Sequence, residues 1–119
     1  MAHKLVYVLE DDPDISRLVK LFLSRYGCHV ETFGTANDFN QRMKVTLPDI
    51  CILDVNLPDG DGFEISADLS RTARTTQIPI IVMSARTFSP KKCADSGVKE
   101  FVSKPFSIDV FIKAVQRFL

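Results

Sequence analysis

The stretch "ILDVNLPDGDG", residues 52–62, runs from three apolar or acidic strand residues straight into a turn. Ile52 and Leu53 lead to Asp54; Asn56, Pro58, Asp59, Gly60, Asp61 and Gly62 follow. An acid at the lip of a buried strand is either a cap for the next element or a reactive group. Which of the two applies depends on what the other strands carry at the same end.

Short apolar runs alternate with helical patterns on both sides of this stretch. "KLVYVL" (4–9), "HVETF" (29–33), "DICILD" (49–54), "IPIIVMSA" (78–85) and "EFVSK" (100–104) read as strands. Pro79 is tolerable only at the start of the fourth. Between and after them lie five helical patterns. "DISRLVKLFLSRYG" (14–27) has Asp14 as its expected N-cap, Ile15, Leu18, Val19 and Phe22 facing inward, and Gly27 as a stop. "TANDFNQRMK" (35–44) has Thr35 as cap and Ala36, Phe39 and Met43 on one face. "DGFEISADLSR" (61–71) and the short "PKKCADSG" (90–97) follow. "SIDVFIKAVQRFL" (107–119) has Ser107 as cap and Ile108, Phe111, Ile112, Val115 and Leu119 facing inward.

Continuous apolar strands alternating with helices predict a parallel sheet covered on both faces. Right-handed crossovers leave few topologies for it. In such sheets the ligand crevice lies at the carboxyl ends of the strands.

The chain has 119 residues, 45% of them hydrophobic and 25% charged, as suits one domain with a core. Fifteen basic residues balance fifteen acidic ones, which argues against a chain built to coat nucleic acid or an anionic membrane. No apolar run approaches the roughly 20 residues of a membrane span. The N-terminus does not read as a signal peptide, so the expected location is the cytoplasm. Cys28, Cys51 and Cys93 form no C-x-x-C pair, and Cys51 sits in an apolar run as a buried thiol would. His3 and His29 lack metal-ligand spacing and read as surface or strand-edge residues.

The chemistry gathers at the strand ends. The first strand ends in Glu10, Asp11 and Asp12, the third in Asp54, the fourth at Ser84 and the fifth at Lys104. Each alone is weak; their conjunction at one sheet edge points to a site. Two carboxylates about 4 Å apart repel by about 4 kcal/mol at an effective dielectric of about 20. Glu10, Asp11 and Asp54 held together must therefore protonate or recruit a cation. A few carboxylate oxygens suit Mg²⁺, which keeps waters and often takes a phosphate oxygen. Lys104 and the Ser84 hydroxyl are suited to phosphoryl oxygens, and Asp54 to the role of carboxylate nucleophile. Asp12 reads as a solvated acid or a cap.

With these residues in place, the chain resembles the receiver domain of two-component response regulators. The resemblance rests on "VLEDDPDI", "ILDVNLPDGDGFE", "IPIIVMSA" and "GVKEFVSKPFS" in that order, with 43 residues from Asp11 to Asp54 and 30 from Asp54 to Ser84. It implies a doubly wound, flavodoxin-like α/β fold: a five-stranded parallel sheet of order 2-1-3-4-5 with five helices. It also implies a single receiver domain over residues 1–119, any output domain being absent or outside this chain.

The resemblance further implies a phosphoacceptor switch rather than an enzyme. Asp54 would be the phosphoacceptor, Asp11 a direct Mg²⁺ ligand, Glu10 a ligand through water, and Asn56 the donor of a backbone carbonyl to the metal. Ser84 falls at the switch hydroxyl, Phe101 at the switch aromatic, and Lys104 at the lysine that meets the phosphoryl group alone, with a cis peptide to Pro105. The implied partner is a sensor histidine kinase or a phosphotransfer protein. From Ser84 to Lys104 there are 20 residues, fewer than is usual in the family, so the fourth helix is expected to be short. A homodimer or output contact is then expected to centre on the last helix, where Val110 and Ala114 stand one turn apart.

Three other readings are weaker. An aspartyl phosphatase of the haloacid-dehalogenase kind would use the D-x-D of Asp12-Pro13-Asp14, but that reads better as a helix start. A degenerate receiver that binds partners without phosphate sits poorly with the intact set of Asp11, Asp54, Ser84 and Lys104. A dinucleotide site fails for want of G-x-G-x-x-G after the first strand.

Overall fold

The computed structural model describes residues 3–119. In chain order its elements are β1 (Leu5–Leu9), α1 (Pro13–Ser24), β2 (His29–Phe33), α2 (Ala36–Met43), β3 (Ile50–Asp54), β4 (Asn56–Leu57), β5 (Gly60–Asp61), α3 (Gly62–Arg71), β6 (Ile80–Ser84), α4 (Pro90–Asp95), β7 (Glu100–Ser103) and α5 (Ile108–Gln116). Five strands make one sheet in the order β2-β1-β3-β6-β7, and every neighbouring pair is parallel. This is the anticipated 2-1-3-4-5 order once the small β4–β5 hairpin is counted in the numbering.

The strands are apolar along their length because both faces are covered. Residues 50–54 and 80–84 are buried throughout. Pleating sends alternate side chains to opposite faces, and two separate cores result. One holds Val6, Val8, Ile52 and Met83 against Val19 and Leu23 of α1 and Phe111 and Val115 of α5. The other holds Tyr7, Leu9, Leu53 and Val82 against Phe39 of α2 and Phe63 of α3. β2 is an edge strand, and among its residues only Val30 is fully buried.

Several local readings are corrected. Asp12, not Asp14, caps α1; its carboxylate accepts from the amides of Asp14 (2.9 Å) and Ile15 (3.3 Å). The reason is Pro13, which fits the first helical position where no amide proton is needed and makes its predecessor the cap. Leu18 does not face inward but is 43% exposed. The buried stripe of α1 centres on Val19, and Leu18 lies about 100° around the helix from it.

Ile108 is also 37% exposed. It is the first residue of α5 and lies beside the exposed Tyr26, ahead of the buried face formed by Phe111, Ile112, Ala114 and Val115. Ala114 thus belongs to the core, and only Val110 of the expected surface pair is exposed.

Other expectations hold. Thr35 caps α2 and Ser107 caps α5. Ala36, Phe39 and Met43 are buried. Cys51 is buried, while His29 is exposed on the edge strand and His3 Nδ1 lies 2.6 Å from the Gly27 carbonyl oxygen on the surface. α4 is short, with six residues and none of them buried. The β4–β5 hairpin was not anticipated as strand; the run of turn residues hid its single pair of rungs, Asn56 to Asp61 and Leu57 to Gly60.

Candidate functional site

The sheet register brings β1, β3 and β6 to the same edge, so their last residues and successors share one crevice. The Glu10 amide donates to the Phe33 carbonyl at 2.9 Å, extending the β1–β2 ladder by one residue and fixing the start of the acidic run. Asp54 is the last residue of β3, opposite Met83. Beyond β6 and β7, the Lys104 amide donates to the Ser84 carbonyl at 2.8 Å. That bond fixes Lys104 at the edge, and its peptide to Pro105 is cis, as expected.

Carboxylate oxygens of Glu10, Asp11 and Asp54 all lie within 4.8 Å of one another. Glu10 and Asp54 are buried and Asp11 is exposed, so the cluster has two walls and one side open to solvent. The Lys104 ammonium reaches into it, donating to Glu10 Oε1 at 2.5 Å and to Asp54 Oδ1 at 3.3 Å. The expectation that Lys104 meets only a phosphoryl group is therefore incomplete. In this structure its single positive charge bridges two buried acids and offsets part of the repulsion foreseen above.

The second Glu10 oxygen accepts from the Asp12 amide at 3.1 Å. Burial raises the Glu10 carboxyl above its ordinary range, and the hydrogen bond from Lys104 opposes this only in part. Burial also pulls the Lys104 ammonium down, but the bond to Glu10 and the charges of Glu10 and Asp54 outweigh it and hold the amine above its usual value.

Ser84 is buried, and its Oγ accepts from the Arg86 amide at 3.1 Å, so the hydroxyl hydrogen is left to donate elsewhere. Asn56 stands two residues past Asp54 on the hairpin, with its side chain exposed. Phe101 is half-buried on β7, its ring 6.1 Å from that of Phe88, which in turn lies 4.7 Å from Phe63. The turn before α3 comes close to Asp54: a Cβ on Gly62 would lie 2.2 Å from the Asp54 carbonyl oxygen. Glycine is needed there for close backbone approach.

The sequence reading missed two residues that shape the site. Phe88 looks like a loop residue but joins the core between Phe63 and Phe101. Asp59 reads as turn chemistry, yet its carboxylate reaches the start of α2.

A family model described as the response regulator receiver domain matches residues 6–116. The chain belongs to this family. Receiver domains are signalling switches, and phosphoacceptor signalling is the activity this membership supports. The present receiver is 36% identical over 110 residues to the transcriptional regulatory protein KdpE of Mycobacterium tuberculosis, a match covering 91% of this chain and 47% of that protein. It spans about half the length of the curated relatives it matches.

Among solved structures, the chemotaxis response regulator CheY4 of Vibrio cholerae superimposes with a TM-score of 0.91 at 24% identity, covering 99% of this chain and 100% of that one; this likeness is one of fold. A BeF3-activated receiver domain of DrrB, from Thermotoga maritima, gives 0.86 at 28% identity over 98% and 97% of the two chains. No helix among the described residues is long and apolar enough to cross a membrane.

Proposed function

We propose that this receiver domain accepts a single phosphoryl group on Asp54, delivered by a phosphohistidine of a sensor kinase or phosphotransfer protein, or by a small acyl phosphate. The observation that carries this reading is the meeting of Glu10, Asp11 and Asp54 with Lys104 at one sheet edge. A carboxylate oxygen of Asp54 attacks phosphorus and the bond from phosphorus to the donor atom breaks; the imidazole nitrogen of a phosphohistidine leaves with the electron pair and takes up a proton, whereas the oxygen of an acyl phosphate leaves with it as a carboxylate. Asp54 stands at the end of a rigid buried strand, which aims the nucleophile and limits its motion.

The donor set suits Mg²⁺: hard oxygens, two of them buried, with a single ammonium as the counter-charge beside them. Glu10, Asp11, Asp54 and the Asn56 carbonyl would hold the ion, Glu10 through water. Bound there, it supplies positive charge to the phosphoryl oxygens. Lys104 can turn from Asp54, its longer contact, to a phosphoryl oxygen while keeping Glu10. The Ser84 hydroxyl can donate to another. A phosphoryl group adds about −1.5 to −2 charges, so both donors are drawn toward it. Phe101 is the ring next to this shift, and the surface of β7 and α5 is where a partner or second copy would read it.

Intact-mass measurement with acetyl phosphate and Mg²⁺ tests the proposal. The wild type should gain one phosphoryl group and hold it, while Asp54→Asn and the metal-free wild type should gain none. Equal labelling of Asp54→Asn would overturn the assignment. Repeated turnover of excess phosphodonor, with no protein-bound phosphate, would favour a phosphatase instead.

A further inference from the structure

The tip of the β4–β5 hairpin is tied to α2. Asp59 Oδ1 accepts from the Ala36 amide at 2.7 Å and Oδ2 accepts from the Asn37 amide at 2.9 Å. The next two amides go to Thr35: Asp38 donates to its Oγ1 and Phe39 to its carbonyl, both at 3.2 Å. The Phe39 bond is the first ordinary turn of the helix, and the amides of Ala36, Asn37 and Asp38, which a helix start leaves open, are all satisfied by side chains. Thr35 already serves as the ordinary cap, so the Asp59 carboxylate is a second one, brought from the hairpin that follows β3. The two amides hold its carboxyl below the ordinary range.

The base of the same hairpin is tied to α3. The Gly62 amide donates to the Val55 carbonyl at 2.9 Å, and Asp61 caps α3 through the Phe63 amide at 2.7 Å. Between these two anchors runs the segment from Val55 to Asp61. It begins directly after Asp54 and contains Asn56. The Val55 amide continues the ladder to β6, donating to the Met83 carbonyl at 3.3 Å, and the tip anchor ties the turn beyond it to α2.

We propose that Asp59 is a positioning residue for metal binding at the acidic cluster. Its clasp on α2 fixes the hairpin so that the Asn56 carbonyl is presented to the cation beside Asp54. It touches neither metal nor phosphoryl group. This inference rests on the proposed role of Asn56. Coupling between two sites is reciprocal. If the clasp raises metal affinity, the metal must in turn tighten the clasp at Ala36 and Asn37, which lie far from Asn56 in sequence.

The test is calorimetric titration of Mg²⁺ into the wild type, Asp59→Ala and Asp59→Asn, with amide hydrogen exchange at Ala36 and Asn37 followed in parallel. Asn keeps one acceptor and loses the charge, whereas Ala loses both. Asp59→Ala should bind Mg²⁺ about tenfold more weakly, the low end of the range for outer-shell partners of metal ligands. Asp59→Asn should fall between Ala and wild type. Mg²⁺ should slow exchange at Ala36 and Asn37 in the wild type. Should Asp59→Ala fail to fold, the Asn variant and the wild-type exchange data carry the same test. Unchanged affinity in the variants, equal loss in Asn and Ala (an effect of charge alone), or exchange at Ala36 and Asn37 indifferent to Mg²⁺ would overturn the inference. A wild type that binds no Mg²⁺ would instead overturn the reading of the site itself, and this inference with it.

Discussion

Lys104 lies closer to Glu10 than to the proposed phosphoacceptor, at 2.5 Å against 3.3 Å for Asp54. The lysine is therefore held by the first strand and leans on the third. Removing one member of a buried ion pair leaves an uncompensated charge, which costs more than the pair itself contributes. Lys104→Met should lower unfolding free energy by about 3 kcal/mol at neutral pH without metal, the low end of the range for breaking a buried pair. The same variant should bind Mg²⁺ more tightly than the wild type, because no ammonium competes for the Glu10 and Asp54 oxygens. Urea unfolding with and without Mg²⁺ measures both effects. A variant as stable as the wild type in metal-free buffer would contradict this account.

Glu10 makes the stability of the domain depend on pH in a direction opposite to most carboxylates. Its folded pKa is raised, chiefly by burial, above the ordinary 4.5. The folded state therefore holds the proton more tightly than the unfolded chain. The stability this contributes is complete below 4.5 and is lost as pH rises through the folded value. Asp59 behaves in the opposite sense: its lowered carboxyl contributes stability above its ordinary 3.8 that is lost as pH falls through the folded value. The two windows lie on either side of the interval between 3.8 and 4.5. In metal-free denaturation series, Glu10→Gln should gain on the wild type as pH rises above 4.5. A constant difference between the two proteins across that range would refute the assignment.

Gly62 tests how tightly the turn is pressed against Asp54, the proposed phosphoacceptor. A Cβ there would sit 2.2 Å from the Asp54 carbonyl oxygen and 3.2 Å from the Val55 Cα, both backbone atoms that cannot swing aside. Gly62→Ala should destabilise the domain by about 3 kcal/mol, the upper part of the range for overpacking. It should also slow labelling of Asp54 by acetyl phosphate. Full stability together with a normal labelling rate would mean that the turn yields more easily than its contacts indicate.

Phosphorylation should be read out on α5 more than on α4. Val110 is 55% exposed, Ala114 anchors the same helix in the core, and α4 buries no residue. Amide signals of Phe101, Val110 and Ala114 should shift more on phosphorylation than those of residues 90–96. A perturbation map confined to residues 90–96, with α5 silent, would reject this route.

The fold was legible because apolar runs such as 50–54 and 80–84 have no polar face to misread, and a parallel covered sheet is what such runs form. The cluster was legible because Glu10, Asp11, Asp54 and Lys104 all follow or end those runs, so topology alone brings them together. What escaped were contacts made by loop residues with distant elements. Periodicity carries no information on where the Asp59 carboxylate or the Phe88 ring will land, because neither lies in a repeating element. The cap of α1 was misplaced by two residues because Asp12 and Asp14 both offer an oxygen, and only the fit of Pro13 to the first helical turn separates them. Leu18 and Ile108 were misjudged for another reason. A helical stripe read from spacing is wider than the groove it fills, and residues at its margin or its first turn remain in solvent.

The division of the core into two layers by the sheet bears on how the domain can change over time. Phe39 and Phe111 belong to different layers and share no packing partner. Substitutions without shared partners combine additively, whereas neighbours within one layer compensate or aggravate one another. Each layer can therefore be repacked as an independent lineage of small changes, provided the strands between them keep their register. Variants that trade volume among Phe39, Met43 and Phe63 should leave the α1–α5 layer unaware of the exchange, so two separately drifted halves can be joined in one chain with their separate costs simply summed.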